Sequence, residues 1–138
     1  MAQQEDMIVD IPPERVKFFG TTGKMLLPSA ASVKALLNKI PVNSLITTGD
    51  LRQQLTHQFQ VEGTCPVTTQ KALKVIAHEA NQQAPYWRVV NQNGGLISQF
   101  PGGVAAQAAR LQQEGFTIEA SGKVLKVKGF KARLVRLE

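Results

Sequence analysis

Seven prolines, at positions 12, 13, 28, 41, 66, 85 and 101, cut this chain of 138 residues into short stretches. Proline lacks a backbone donor and its ring clashes with the preceding turn, so it opens a helix or ends one. Gly115 and Gly122 divide the last stretch again. Such a chain is restricted to short helices and brief extended pieces that must bury their apolar faces against one another.

Within those limits the pattern can be read piece by piece. Ile8, Val9 and Ile11 form an extended piece before Pro12-Pro13, and Met25-Leu26-Leu27 form another before Pro28, so residues 1–28 are expected as an arm or cap. Ser29 is an N-cap for a helix running to about Ile40, with Val33, Leu36 and Leu37 on one face. Ser44 to Thr47 is a short strand, and Thr47 or Thr48 caps a second helix through Leu51, Leu55 and Phe59. Gln60 to Cys65 is a loop. The third helix is expected from about Val67 to Asn81, with Ala72, Val75, Ile76 and Ala80 inward and Gln70, Lys71, Lys74, His78 and Asn81 on the opposite face. Asn93-Gly94-Gly95 is a turn. Val104 to Glu114 is a fourth helix, with Ala105, Ala108 and Leu111 inward and Gly115 as its stop. Phe116 to Glu119 and Lys123 to Val127 flank Ser121-Gly122 as a hairpin. The fold class expected is mainly α, a winged helix-turn-helix over residues 29–138 with the hairpin as its wing.

Charge narrows the partner. Sixteen Lys and Arg against ten Asp and Glu give a formal charge of +6, which favours a polyanion through phosphate contacts and counterion release. The charge is uneven: Glu5, Asp6, Asp10 and Glu14 lie near the start, and Lys123, Lys126, Lys128, Lys131, Arg133 and Arg136 lie near the end. Lys126 and Lys128 alternate with Leu125 and Val127, as an exposed strand requires. Cys65 is the only cysteine, so no internal disulfide forms and a cytoplasmic setting is expected. No apolar run approaches the roughly 20 residues needed to span a bilayer, and the polar, acidic start does not read as a signal peptide. One cysteine and two histidines leave no expected zinc site, and no other metal or cofactor is expected.

Several short blocks then occur in a telling order. They are Val33 to Ile40-Pro41, Ile46-Thr47-Thr48-Gly49-Asp50-Leu51, Pro66 through Lys71-Ala72-Leu73, Pro85-Tyr86-Trp87-Arg88-Val89-Val90, Asn93-Gly94, Gly102-Gly103, and Leu111-Gln112-Gln113-Glu114-Gly115. Together, from about Pro28 to Val127, they resemble the DNA-binding domain of alkylguanine-DNA alkyltransferases and the alkyltransferase-like proteins. The family's Pro-Cys-His-Arg-Val motif falls on Pro85 to Val89, so Tyr86 stands at the nucleophile's position and Trp87 at the histidine's. The resemblance also places the glutamate that orients the histidine at Glu114. It places the arginine finger at Lys71, and the tyrosine that helps rotate the target phosphate at Thr48.

The chemistry of that site requires a thiolate and a base. A phenol with an ordinary pKa near 10 supplies little anion at neutral pH, and an indole N–H is a donor only. A protein that binds DNA without enzymatic activity is therefore expected, with double-stranded DNA, including DNA carrying alkylated guanine, as partner. The residues expected at that interface are Thr48, Gln70, Lys71, Lys74, Tyr86, Trp87, Arg88, Lys126 and Lys128. Two readings stand for Tyr86 and Trp87: stacking an extruded base, or plugging a disused pocket. Arg88 either holds the site loop or contacts ligand. Two other functions compete: a winged-helix module for a protein partner, and a residual alkyltransferase using Cys65.

Overall fold

The structure, a computed structural model, describes residues 5–79 and 84–135. Its elements run β1 (Met7–Asp10), α1 (Val16–Phe19), β2 (Lys24–Leu27), α2 (Ala30–Leu37), β3 (Ile46–Thr47), α3 (Thr48–Phe59), β4 (Gly63–Thr64), α4 (Pro66–Ala77), β5 (Val89–Val90), α5 (Gly103–Gln113), β6 (Ile118–Ser121) and β7 (Val124–Val127). Three-residue to four-residue 3-10 turns lie at Pro13–Arg15, Tyr86–Arg88 and Phe130–Arg133. Among the described residues the strands form three small sheets, ordered β1-β2-β4, β3-β5 and β6-β7. The fold is therefore mixed α/β, and the expectation of a mainly α chain fits it only in part. Strands of two residues such as β4 and β5 carry no readable alternation, which is why Gln60 to Cys65 reads as plain loop in sequence.

The helix starts follow local chemistry. Ser29 Oγ accepts the Ser32 N–H at 3.1 Å, and Thr47 Oγ1 accepts the Asp50 N–H at 3.1 Å. Each satisfies an orphan donor of the first turn. The N-terminus of α2 has a second cap from far away in sequence: Asp6 accepts the Ser29 N–H at 2.8 Å and the Ser32 hydroxyl at 2.7 Å. Burial alone would raise the Asp6 pKa, but these hydrogen bonds outweigh it and hold the carboxyl below its ordinary value. Thus the segment expected as an arm is anchored by polar contacts. It also runs antiparallel from β1 to β2, and β2 continues parallel onto β4.

The main core joins α2, α3 and α4 around Val33, Leu36, Leu37, Leu51, Leu55, Ala72, Leu73 and Ile76, with Leu26 of β2 buried among them. Each Leu of that set contributes roughly 1.5–3 kcal/mol by leaving water. On α4 the buried stripe is Thr69, Ala72, Leu73, Ile76 and Ala77, the i, i+3, i+4, i+7, i+8 pattern of a helix packed on one side. Val75, expected inward, is 40 % exposed, because it falls off that stripe. The helix also stops at Ala77, with His78 as its C-cap; Ala80 and Asn81 lie outside the described residues. Likewise α2 ends at Leu37 rather than near Ile40.

A second core lies under α5 and the β6–β7 hairpin, where Leu45, Val90, Leu96, Leu111, Phe116 and Val127 meet. Ala105, expected inward, is exposed; Gln107, Ala108 and Leu111 are the buried residues of α5. The hairpin turns at Gly122 with φ +63° and pairs Ile118 with Val127 through Ser121 with Val124. Its second strand extends toward the preceding loop: Leu96 N–H donates to Leu125 O at 3.0 Å, and Val127 N–H donates to Gly94 O at 3.0 Å. Asn93-Gly94 is thus a turn, as expected, and it also binds the hairpin to the body. No helix among the described residues is long and apolar enough to cross a membrane.

Candidate nucleic-acid interface

The loop from Pro85 to Val90 leaves the α4 region as a 3-10 turn and enters β5, which pairs parallel with β3. Tyr86 is 3 % exposed. Its ring packs edge-on against Trp87, with centroids 5.2 Å apart, and against Phe100 at 4.9 Å. Such aromatic contacts add to the area they bury. The Tyr86 ring is thus packed into the main core.

Trp87 and Arg88 converge on Glu114, which follows α5. The indole Nε1–H donates to Glu114 Oε2 at 2.8 Å. The Arg88 guanidinium donates through Nε to Oε1 and through Nη2 to Oε2, both at 2.9 Å, and through Nη1 to Ile40 O at 2.6 Å. This is a planar fork on a carboxylate, the geometry for which arginine is suited. Burial alone would raise the Glu114 pKa. The donors from Arg88 and Trp87, together with the arginine's charge, outweigh that and hold it below its ordinary value. Glu114 is therefore an ionised acceptor for three side-chain donors. Arg88 spends its donors inside the protein and holds the loop.

Arg110 completes the cluster from α5, its guanidinium 4.3 Å from the Trp87 ring centroid, in cation–π range. Gln107, on the same helix, is 2 % exposed. Its Nε2 donates to Trp87 O at 3.0 Å and Val89 O at 2.9 Å, while its Oε1 accepts the Ile97 N–H at 2.7 Å. One amide thus ties the site loop to the 96–100 segment. Gln107 is not among the expected site residues, although the sequence carries a signal: it interrupts the apolar stripe one residue before Ala108 and four before Leu111.

A cleft of about 180 Å³ opens in front of Phe100. Its floor is apolar: Leu73, Leu96 and Phe100 are buried and Ile97 is half-buried. Its rim is polar, with Thr48 from α3, Gln70 and Lys74 from α4, and Asn91, Ser98 and Gln99 from the loops. Gln92 braces this region, its Oε1 accepting the Gly49 N–H at 2.8 Å; a Cβ on Gly49 would collide with that amide. The structure thus brings Thr48, Gln70 and Lys74 to one cleft. Lys71 is exposed on α4 but does not line it. Tyr86, Trp87 and Arg88 line no part of it, and Phe100 stands between Tyr86 and the opening. Lys126 is half-buried on β7 and Lys128 is exposed just beyond it.

Cys65 lies elsewhere. It is 4 % exposed, packed with Ile11 and Met25 beneath the N-terminal strands. Its Sγ accepts from Arg15 Nη1 at 3.1 Å and from Thr68 Oγ1 at 3.4 Å. Burial alone would raise its pKa, but the Thr68 and Arg15 hydrogen bonds outweigh it and lower the thiol below its ordinary value. It does not line the cleft.

No protein-family model matches the sequence, and no curated protein matches it. Solved structures do match by shape. One is an S. pombe ATL in complex with DNA, with a TM-score of 0.61 and 17 % identity, over 78 % of this chain and 94 % of that one. Another is S. pombe Atl1 in complex with damaged DNA containing O6-carboxymethylguanine, with a TM-score of 0.59 and 18 % identity over the same shares. At that identity the likeness is one of fold: the chain folds like the alkyltransferase-like protein of S. pombe.

Proposed function

We propose that this chain is a non-enzymatic DNA-binding protein of alkyltransferase-like type, which takes an extruded, alkylated base into the cleft in front of Phe100. In this reading α3 and α4 form a helix-turn-helix and the β6–β7 hairpin is its wing. The outward face of α4, with Gln70, Lys71 and Lys74, meets the groove, and Lys126 and Lys128 meet phosphates. The observation that carries it is the convergence of Thr48, Gln70 and Lys74, three residues on the expected DNA face, around one cleft with an apolar floor. A cavity of about 150 Å³ holds a benzene ring, so a space of about 180 Å³ with an exposed rim takes part of a flat base and leaves the rest at the rim.

Alkyl transfer has no support in the side chains present. Tyr86 is buried against Trp87 and Phe100, and Trp87 directs an N–H, not a base, at Glu114. Cys65 is buried away from the cleft. Binding to duplexes with and without O6-methylguanine, measured by fluorescence anisotropy across a salt series, tests the reading. The expected result is tighter binding to the lesion and a steep loss of affinity with salt. Equal affinity for both duplexes rejects base recognition, and no binding at low salt rejects the DNA role altogether. Intact-mass measurement after incubation with the lesion is expected to return an unchanged mass.

A further inference from the structure

We infer that Lys74 makes the cleft selective for bases carrying an anionic substituent, such as a carboxylate, over bases of the same size carrying a neutral one. The inference rests on the base-binding reading above and names which modified bases fit best. Among the described residues Lys74 is the only charged one lining the cleft, and no described acidic side chain lines it. The ion pairs among the described residues are Lys24 with Asp10, Lys34 with Glu79 and Arg88 with Glu114, so Lys74 has no carboxylate partner.

The surroundings fit the same ligand. Gln70, Asn91 and Gln99 share the rim, and each side-chain amide carries N–H donors that a carboxylate can accept. The buried floor of Leu73, Leu96 and Phe100 holds the flat ring and keeps water from one side. At the exposed rim, a hydrogen bond from the Lys74 ammonium to a carboxylate is roughly twice as strong as one between neutral groups. A neutral alkyl group gains only the apolar contact. Lys71, exposed on the same helix but outside the cleft, is the lysine free to meet the backbone.

The test uses the full chain and three duplexes: unmodified, O6-carboxymethylguanine, and its neutral amide O6-carbamoylmethylguanine. The expected result is a preference of about tenfold for the acid over the amide, the scale of one hydrogen bond to a charged group. That preference should collapse in Lys74→Gln and return in Lys74→Arg. Equal binding of acid and amide, both tighter than unmodified DNA, overturns the inference and leaves the base-binding reading standing. If neither modified duplex binds better than the unmodified one, the base-binding reading itself fails. If Lys74→Gln weakens acid and amide equally and lowers the salt slope by about one, Lys74 contacts a phosphate and the inference is wrong.

Discussion

Glu114 is the residue on which the site loop hangs, because it alone accepts from both Trp87 and Arg88. Its pKa is lowered in the folded state, so its contribution is fully present above the unfolded value near 4.5 and is lost as pH falls through the lower folded value. The difference in Tm between the wild type and Glu114→Gln should therefore be constant from pH 6 to 8 and shrink below about pH 4.5. A difference that stays constant down to pH 3 would show that the carboxylate's charge is unimportant. Gln107 holds the same loop through neutral bonds. Gln107→Leu removes the partners of two carbonyls and one N–H and should cost about 2–4 kcal/mol in urea unfolding. The role of Arg88 is half legible in the sequence, which allows both a structural role and a ligand contact. Its partners Glu114 and Ile40 are 26 and 48 residues away, and no local pattern could name them both.

At the scale of elements, caps and stops were readable because they are local. Ser29, Thr47, Pro66 and Gly115 all mark helix boundaries within a residue or so. The sheet joining the N-terminal segment to the body was not, because β4 is two residues long and contains Gly63. That glycine has a physical reason: a Cβ there would fall within the Phe19 ring, which packs over it. Gly63→Ala should cost about 1–3 kcal/mol through overpacking. In a Phe19→Ala background most of that cost should vanish, since the collision goes with the ring. Strictly additive costs in chemical denaturation would place the strain elsewhere. The phase of α4 is a related case. Val75 and Leu73 both look apolar in sequence, and only packing into the core shared with α2 and α3 buries Leu73.

At the scale of the molecule, Lys71 and Lys74 of α4 and Lys123, Lys126 and Lys128 at the hairpin are part of a formal charge of +6. If Lys71 and Lys128 each neutralise a phosphate, Lys71→Gln and Lys128→Gln should each lower the slope of log affinity against log salt by roughly one and weaken all duplexes alike. Unchanged slopes would remove those lysines from the interface. The sequence by itself determined the short helices, their caps, the terminal hairpin, the order of motifs and the absence of a cysteine at position 86. These depend on neighbours within one or two turns, or on residue identity alone. Only the tertiary structure decided that Tyr86 is buried against Trp87 and Phe100, that Trp87 and Arg88 are bound to Glu114, and that the opening lies in front of Phe100. The physical reason is that a cavity is a gap between α4 and two loops far apart in the chain, and a gap leaves no periodicity in the residues that surround it.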